Sequence, residues 1–118
     1  MLSIISFGAF SDEKSYPKAV ISYLDQEFPI MEVAIANSDM TYFENANVKM
    51  GGFLKRWGLD SNRETVIDLY PECTNAITDY QIVGLCQILP SGSICELETF
   101  FPKFERNLSD CKEIAGKG

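Results

Sequence analysis

The chain has 118 residues, 46% of them hydrophobic and 23% charged, with a formal net charge of −7 and no histidine. That is the composition of a folded domain with its own core rather than of a disordered segment, and residues 1–118 read as one domain. A net anion is a poor ligand for a phosphate backbone or an anionic membrane surface, so neither direct nucleic-acid binding nor membrane binding is expected.

Residues 2–10 are apolar and β-branched, and no Lys or Arg precedes them, unlike a signal peptide; they are predicted to form a first strand. Pro17 suits the first position of a helix in which Ala19, Val20, Tyr23, Leu24 and Phe28 recur at helical spacing, ending before Pro29. Residues 30–36 follow as a short apolar run, predicted as a second strand.

Met40, Phe43, Asn47, Met50, Leu54 and Trp57 advance in steps of three and four, which predicts a helix with Ser38 as N-cap and Gly58 as terminator. Gly51 and Gly52 each disfavour helix by about 1 kcal/mol relative to Ala, so a bend or break is expected there. A phosphate-binding loop is the functional alternative, with Lys49 and Lys55 nearby, but no glycine-rich nucleotide motif surrounds the pair.

Residues 65–70 are rich in strand formers and stop at Pro71, which predicts a strand; a helix started by a Ser61/Glu64 capping box competes with it. Residues 80–89 and 94–100 flank a Pro90-Ser91-Gly92-Ser93 turn and read as a hairpin. The uncharged stretch 80–95 is too short and too broken to span a bilayer. Pro102 opens a last helix whose apolar side holds Phe104, Leu108, Cys111 and Ile114 or Ala115. The expected fold class is α+β, a mixed sheet of about five strands with three helices packed on it.

Charge is unevenly placed. Residues 60–98 hold seven acids against one base, whereas 1–59 and 99–118 are close to balanced. Such asymmetry concerns partners rather than fold. The candidate partner-binding residues are Asp60, Glu64, Asp68, Tyr70, Glu72, Asp79, Tyr80, Glu96 and Glu98, with Tyr70 or Tyr80 as an aromatic anchor among carboxylates that meet Lys and Arg. Tyr42 is a further exposed-contact candidate, while Phe53, Leu54 and Trp57 are read as core.

Cys73, Cys86, Cys95 and Cys111 lie too far apart in sequence for the usual close-spaced zinc ligands, and no histidine assists them. They are expected as four reduced thiols of a cytoplasmic protein, serving as small core hydrophobes. Without histidine the usual Ser–His and Cys–His nucleophile machinery is missing. The pairs Glu96/Glu98 and Glu64/Asp68 are the candidates for acid–base or divalent-cation chemistry, but no EF-hand pattern or other assembled set accompanies them. No catalytic residue, metal or cofactor is therefore assigned, and the protein is expected not to be an enzyme.

A small, acidic domain without histidine, with one concentrated anionic region in 60–98, resembles bacterial toxin-neutralising immunity proteins, those of contact-dependent growth inhibition above all. The resemblance is one of overall character across the whole chain. It implies a non-enzymatic inhibitor in tight complex with a cognate basic toxin domain, such as a nuclease. A nuclease must be cationic to hold its substrate, so an acidic inhibitor can compete for the same surface. The rival functions are a small carboxylate-dependent enzyme, an acidic nucleic-acid mimic or adaptor, and an oligomer subunit whose charge serves solubility.

Overall fold

Tyr16, Val20, Tyr23, Glu27, Met31 and Ala34 advance in steps of three and four, and every one of them is buried. They form the inner face of α1 (Leu2–Ala36), the first of five helices in a computed structural model that describes residues 2–89 and 97–117. The others are α2 (Met40–Arg56), α3 (Val66–Leu69), α4 (Pro71–Cys86) and α5 (Leu97–Lys117). Among the described residues there is no strand.

Contacts along the helices fix their directions. On α1 and α4, Tyr16 meets Thr74, Tyr23 meets Tyr80, and Met31 lies against Gly84, so the two run parallel. On α2 the order reverses: Trp57 and Phe53 sit beside Tyr16 and Tyr23, whereas Tyr42 reaches Glu27. Cys111 of α5 is bonded to Cys73 of α4, and Glu98 shares a pocket with Gln87, so α5 is antiparallel to α4. The result is an up-down-up-down four-helix bundle, with α3 a single turn in the connection from α2 to α4. Its 56 Å long dimension is close to the length of α1, about 52 Å at 1.5 Å per residue.

The expected α+β fold is therefore overturned. Residues 2–10 and 30–36, read as strands, are both part of α1, and Pro17 and Pro29 lie inside that helix rather than at its limits. An interior proline removes one hydrogen bond and costs about 3 kcal/mol, but the buried stripe continues past Pro29 to Met31 and Ala34. Burial of Met31 contributes about 1.5–3 kcal/mol, and the buried Ala34 adds to it, so that together they offset the proline. Pro17 is itself buried in the core.

Residues 65–70 are not a strand but the single turn α3, closed by reciprocal bonds: Ile67 N–H donates to Thr65 Oγ1 (3.3 Å) and Thr65 N–H to Asp68 Oδ2 (3.1 Å). The capping box is thus Thr65/Asp68 and not Ser61/Glu64. Residues 80–89 continue α4 and its closing turn, and Leu97 to Phe100 open α5 with Pro102 inside it. The turn expected at 90–93 lies outside the described residues. Asp39, rather than Ser38, caps α2, accepting from Thr41 N–H (3.1 Å), and α2 runs unbroken through Gly51 and Gly52. Gly58 ends it in the left-handed region at φ 104°, as its place in the sequence requires.

The thiol expectation is also corrected. Cys73 and Cys111 form a disulfide, and no described cysteine is free. The bond fastens the first turn of α4 to α5, and both half-cystines are fully buried.

Candidate functional site

The carboxylates expected as one surface separate into groups. Asp60 lies in the turn after α2, Glu64 just before α3, Asp68 in α3 and Glu72 in the first turn of α4. These four surround the α2–α3–α4 junction. Asp60, Glu64 and Asp68 are exposed and Glu72 half-buried, and among the described residues none of them forms an ion pair. Arg63 is exposed within the same segment, so the junction is predominantly rather than uniformly acidic.

Glu98 belongs to the opposite end of the bundle, where it lines a shallow pocket with Gln87, Phe101 and Pro102. Sixteen residues of α4 lie between Glu72's end and that pocket, about 24 Å. Asp79 is half-buried midway along α4. Burial pushes its carboxyl above the usual value of 3.8, and the charge of Lys103 and the neighbouring Thr78 offset this in part. Glu96 lies outside the described residues.

Neither expected aromatic anchor is free. Tyr80 is 0% exposed and packs edge-on against Tyr23 and Phe28, so its role as a surface contact is corrected to a core one. Tyr70 is half-buried with its ring against Tyr16, centroids 6.2 Å apart. The local reason is the helical period: Tyr80 falls four residues after Ala76 and three after Ile77, on α4's buried face.

The interior holds a polar cluster that the sequence reading passed over. Glu27 is the one buried charged side chain among the described residues, and its carboxylate accepts from Tyr42 Oη (2.9 Å) and from Lys49 Nζ. Lys49 also stands 5.7 Å from the centre of the Tyr23 ring. The hydroxyls of Tyr23 and Tyr80 are buried nearby and make no well-formed hydrogen bond, but Tyr80 lies close enough to both Tyr23 and Tyr42 for their titrations to influence one another. A signal was present in the sequence: Glu27 follows Tyr23 by four residues, in register with the apolar stripe, and Tyr42 and Lys49 are seven apart on one face of α2.

Burial is the main cause that raises all three phenols, Tyr23, Tyr42 and Tyr80, far above the ordinary tyrosine value. They remain protonated at physiological pH, so none of them serves as a base, and Tyr42 donates its proton to Glu27. Glu27 is engaged by two donors, and no nucleophile adjoins it. This arrangement orients α2 on α1. No group of three or more Cys, Asp and Glu side chains suited to a metal ion occurs among the described residues, and no helix there is long and apolar enough to cross a membrane.

Compared with protein-family models, curated proteins and solved structures, the chain matches none.

Proposed function

We propose that the protein is a non-enzymatic inhibitor that binds a basic protein domain through the α2–α3–α4 junction, using Asp60, Glu64, Asp68 and Glu72. The observation that carries this reading is that four carboxylates within thirteen residues lie around the α2–α3–α4 junction, none of them in an ion pair among the described residues. Unpaired exposed charges of one sign speed encounter with a complementary surface and exclude like-charged competitors. A toxin domain, such as a nuclease, is the class of partner whose cationic substrate surface fits that field. The Cys73–Cys111 bond supports an oxidising compartment over the cytoplasm as the place of encounter.

Surface plasmon resonance against a panel of purified cationic nuclease domains, with lysozyme and cytochrome c as unspecific cations, tests the reading. One domain is expected to bind far more tightly than the rest, with an on-rate that falls between roughly 50 and 300 mM salt. Glu64→Lys combined with Glu72→Lys is expected to slow that association about tenfold or more without lowering the melting temperature. Equal, weak binding to every cation in the panel, unchanged in this variant, overturns it.

A further inference from the structure

We propose that the seam between α2 and α4 docks an amphipathic helix of a partner protein whose polar flank carries Lys or Arg. The seam contains an open groove of about 450 Å³ lined by Met40, Phe43, Met50, Ile82 and Leu85, with Glu44 among the polar residues of its wall. Met40 is 44% and Ile82 37% exposed, so apolar surface on both walls is left in water. Methionines adapt to varied side-chain shapes, and a cleft between two helices takes apolar residues spaced three, four and seven apart on an incoming helix.

Gly51 extends the α2 row of Met40, Glu44 and Asn47 by one turn, and a Cβ placed there meets nothing within 4 Å. A helical glycine costs about 1 kcal/mol relative to Ala. Among the described residues nothing packed against Gly51 requires that cost, whereas a bare helix surface lets a second helix approach closely.

Charge selects the occupant. Among the described residues Glu44 is the one charged residue lining the groove, and no Lys or Arg does so. A second copy of this chain would set −7 against −7. A cationic flank on the incoming helix meets Glu44 instead. This surface is separate from the carboxylates around α3, and the proposal does not depend on them.

The test is fluorescence anisotropy with a helix-stabilised peptide of about 16 residues, with Leu at three-, four- and seven-residue spacing and Lys on both flanks. A twin with Glu in place of Lys and a second with Ser in place of Leu serve as comparisons. The Lys peptide is expected to bind and both twins to bind at least about tenfold more weakly. Ile82→Glu, on the groove wall, and Gly51→Leu, one turn beyond Asn47, are each expected to weaken the Lys peptide about tenfold. Glu44→Lys is expected to reverse the preference between the Lys and Glu peptides, while Glu64→Lys with Glu72→Lys leaves groove binding unchanged. Circular dichroism checks that each variant is folded. Absence of binding by the Lys peptide, equal binding by its twins, or binding indifferent to both groove substitutions overturns the proposal. Self-association in sedimentation that Ile82→Glu abolishes also overturns it and assigns the groove to a second copy.

Discussion

Glu27 on α1 is joined to Lys49 on α2 by an ion pair whose carboxylate end is 3% exposed and whose ammonium end is 58% exposed. Lys49 thus keeps its head partly in water while Glu27 depends on protein donors. Lys49→Met is expected to cost about 1–3 kcal/mol in urea denaturation, since it leaves a buried carboxylate with Tyr42 alone. Replacing both partners with Met is expected to recover most of that loss. A double variant no more stable than Lys49→Met would show that the buried charge is not the source of the cost.

The phenols around Glu27 are expected to respond in opposite ways to loss of one oxygen. Tyr42→Phe removes a donor from the carboxylate and is expected to destabilise by about 1–2 kcal/mol. Tyr80→Phe deletes a buried hydroxyl that makes no well-formed hydrogen bond, only close approaches to Tyr23 and Tyr42, and is expected to be neutral or stabilising by up to about 1 kcal/mol. Equal destabilisation by the two, measured as denaturation midpoints, would contradict the assignment of partners.

Asp79 gives a pH dependence with a definite sign. Its folded-state carboxyl titrates above 3.8, with burial as the main cause, so in that window the native state holds the proton more tightly than the unfolded chain. Stability contributed by this group is present in acid and declines as pH rises through the folded value. Asp79→Asn is expected to raise the melting temperature at about pH 7, to give no gain at about pH 3, and to flatten the profile between. A variant less stable than the parent at neutral pH would mean that the Lys103 charge outweighs desolvation.

The Cys73–Cys111 bond spans 38 positions, and cross-linking a loop of that length is expected to stabilise by about 4 kcal/mol through the unfolded state. Cys73→Ser with Cys111→Ser is therefore expected to lower the denaturation midpoint strongly while leaving the helical circular dichroism intact below it. An unchanged midpoint would show that the bond does not form in the protein as expressed.

The sequence was informative where period and caps agreed. Helix α5 is legible from Phe104, Leu108 and Cys111, and α2 from Phe43, Met50 and Leu54, although α5 begins before Pro102 and Asp39 rather than Ser38 caps α2. It misled in α1 because proline was taken as a boundary, although the stripe from Tyr16 to Ala34 crosses Pro17 and Pro29 without losing phase. Short apolar runs such as 30–36 fit a strand or a buried helical face equally well, and only the neighbouring helices decide between them. The carboxylates of 60–98 were visible as charge, but their division between the ends of α4 depends on helical rise, which a strand reading conceals. Glu27 was missed because one acid on an apolar stripe becomes conspicuous only once Tyr42 and Lys49 are brought to it from α2.

Thr74 has a single hydroxyl proton and gives it to Ile67 O at 2.8 Å, so the 2.7 Å contact with Tyr16 is completed by the tyrosine's own proton. That two-step relay ties the peptide of α3 to the deepest aromatic ring of α1. The acidic elbow consequently takes its stiffness from the centre of the molecule. In the proposed complex a partner meets Asp68 already held by the Thr65 N–H and forfeits little disorder in fixing that charge, which favours slow release over mere rapid capture.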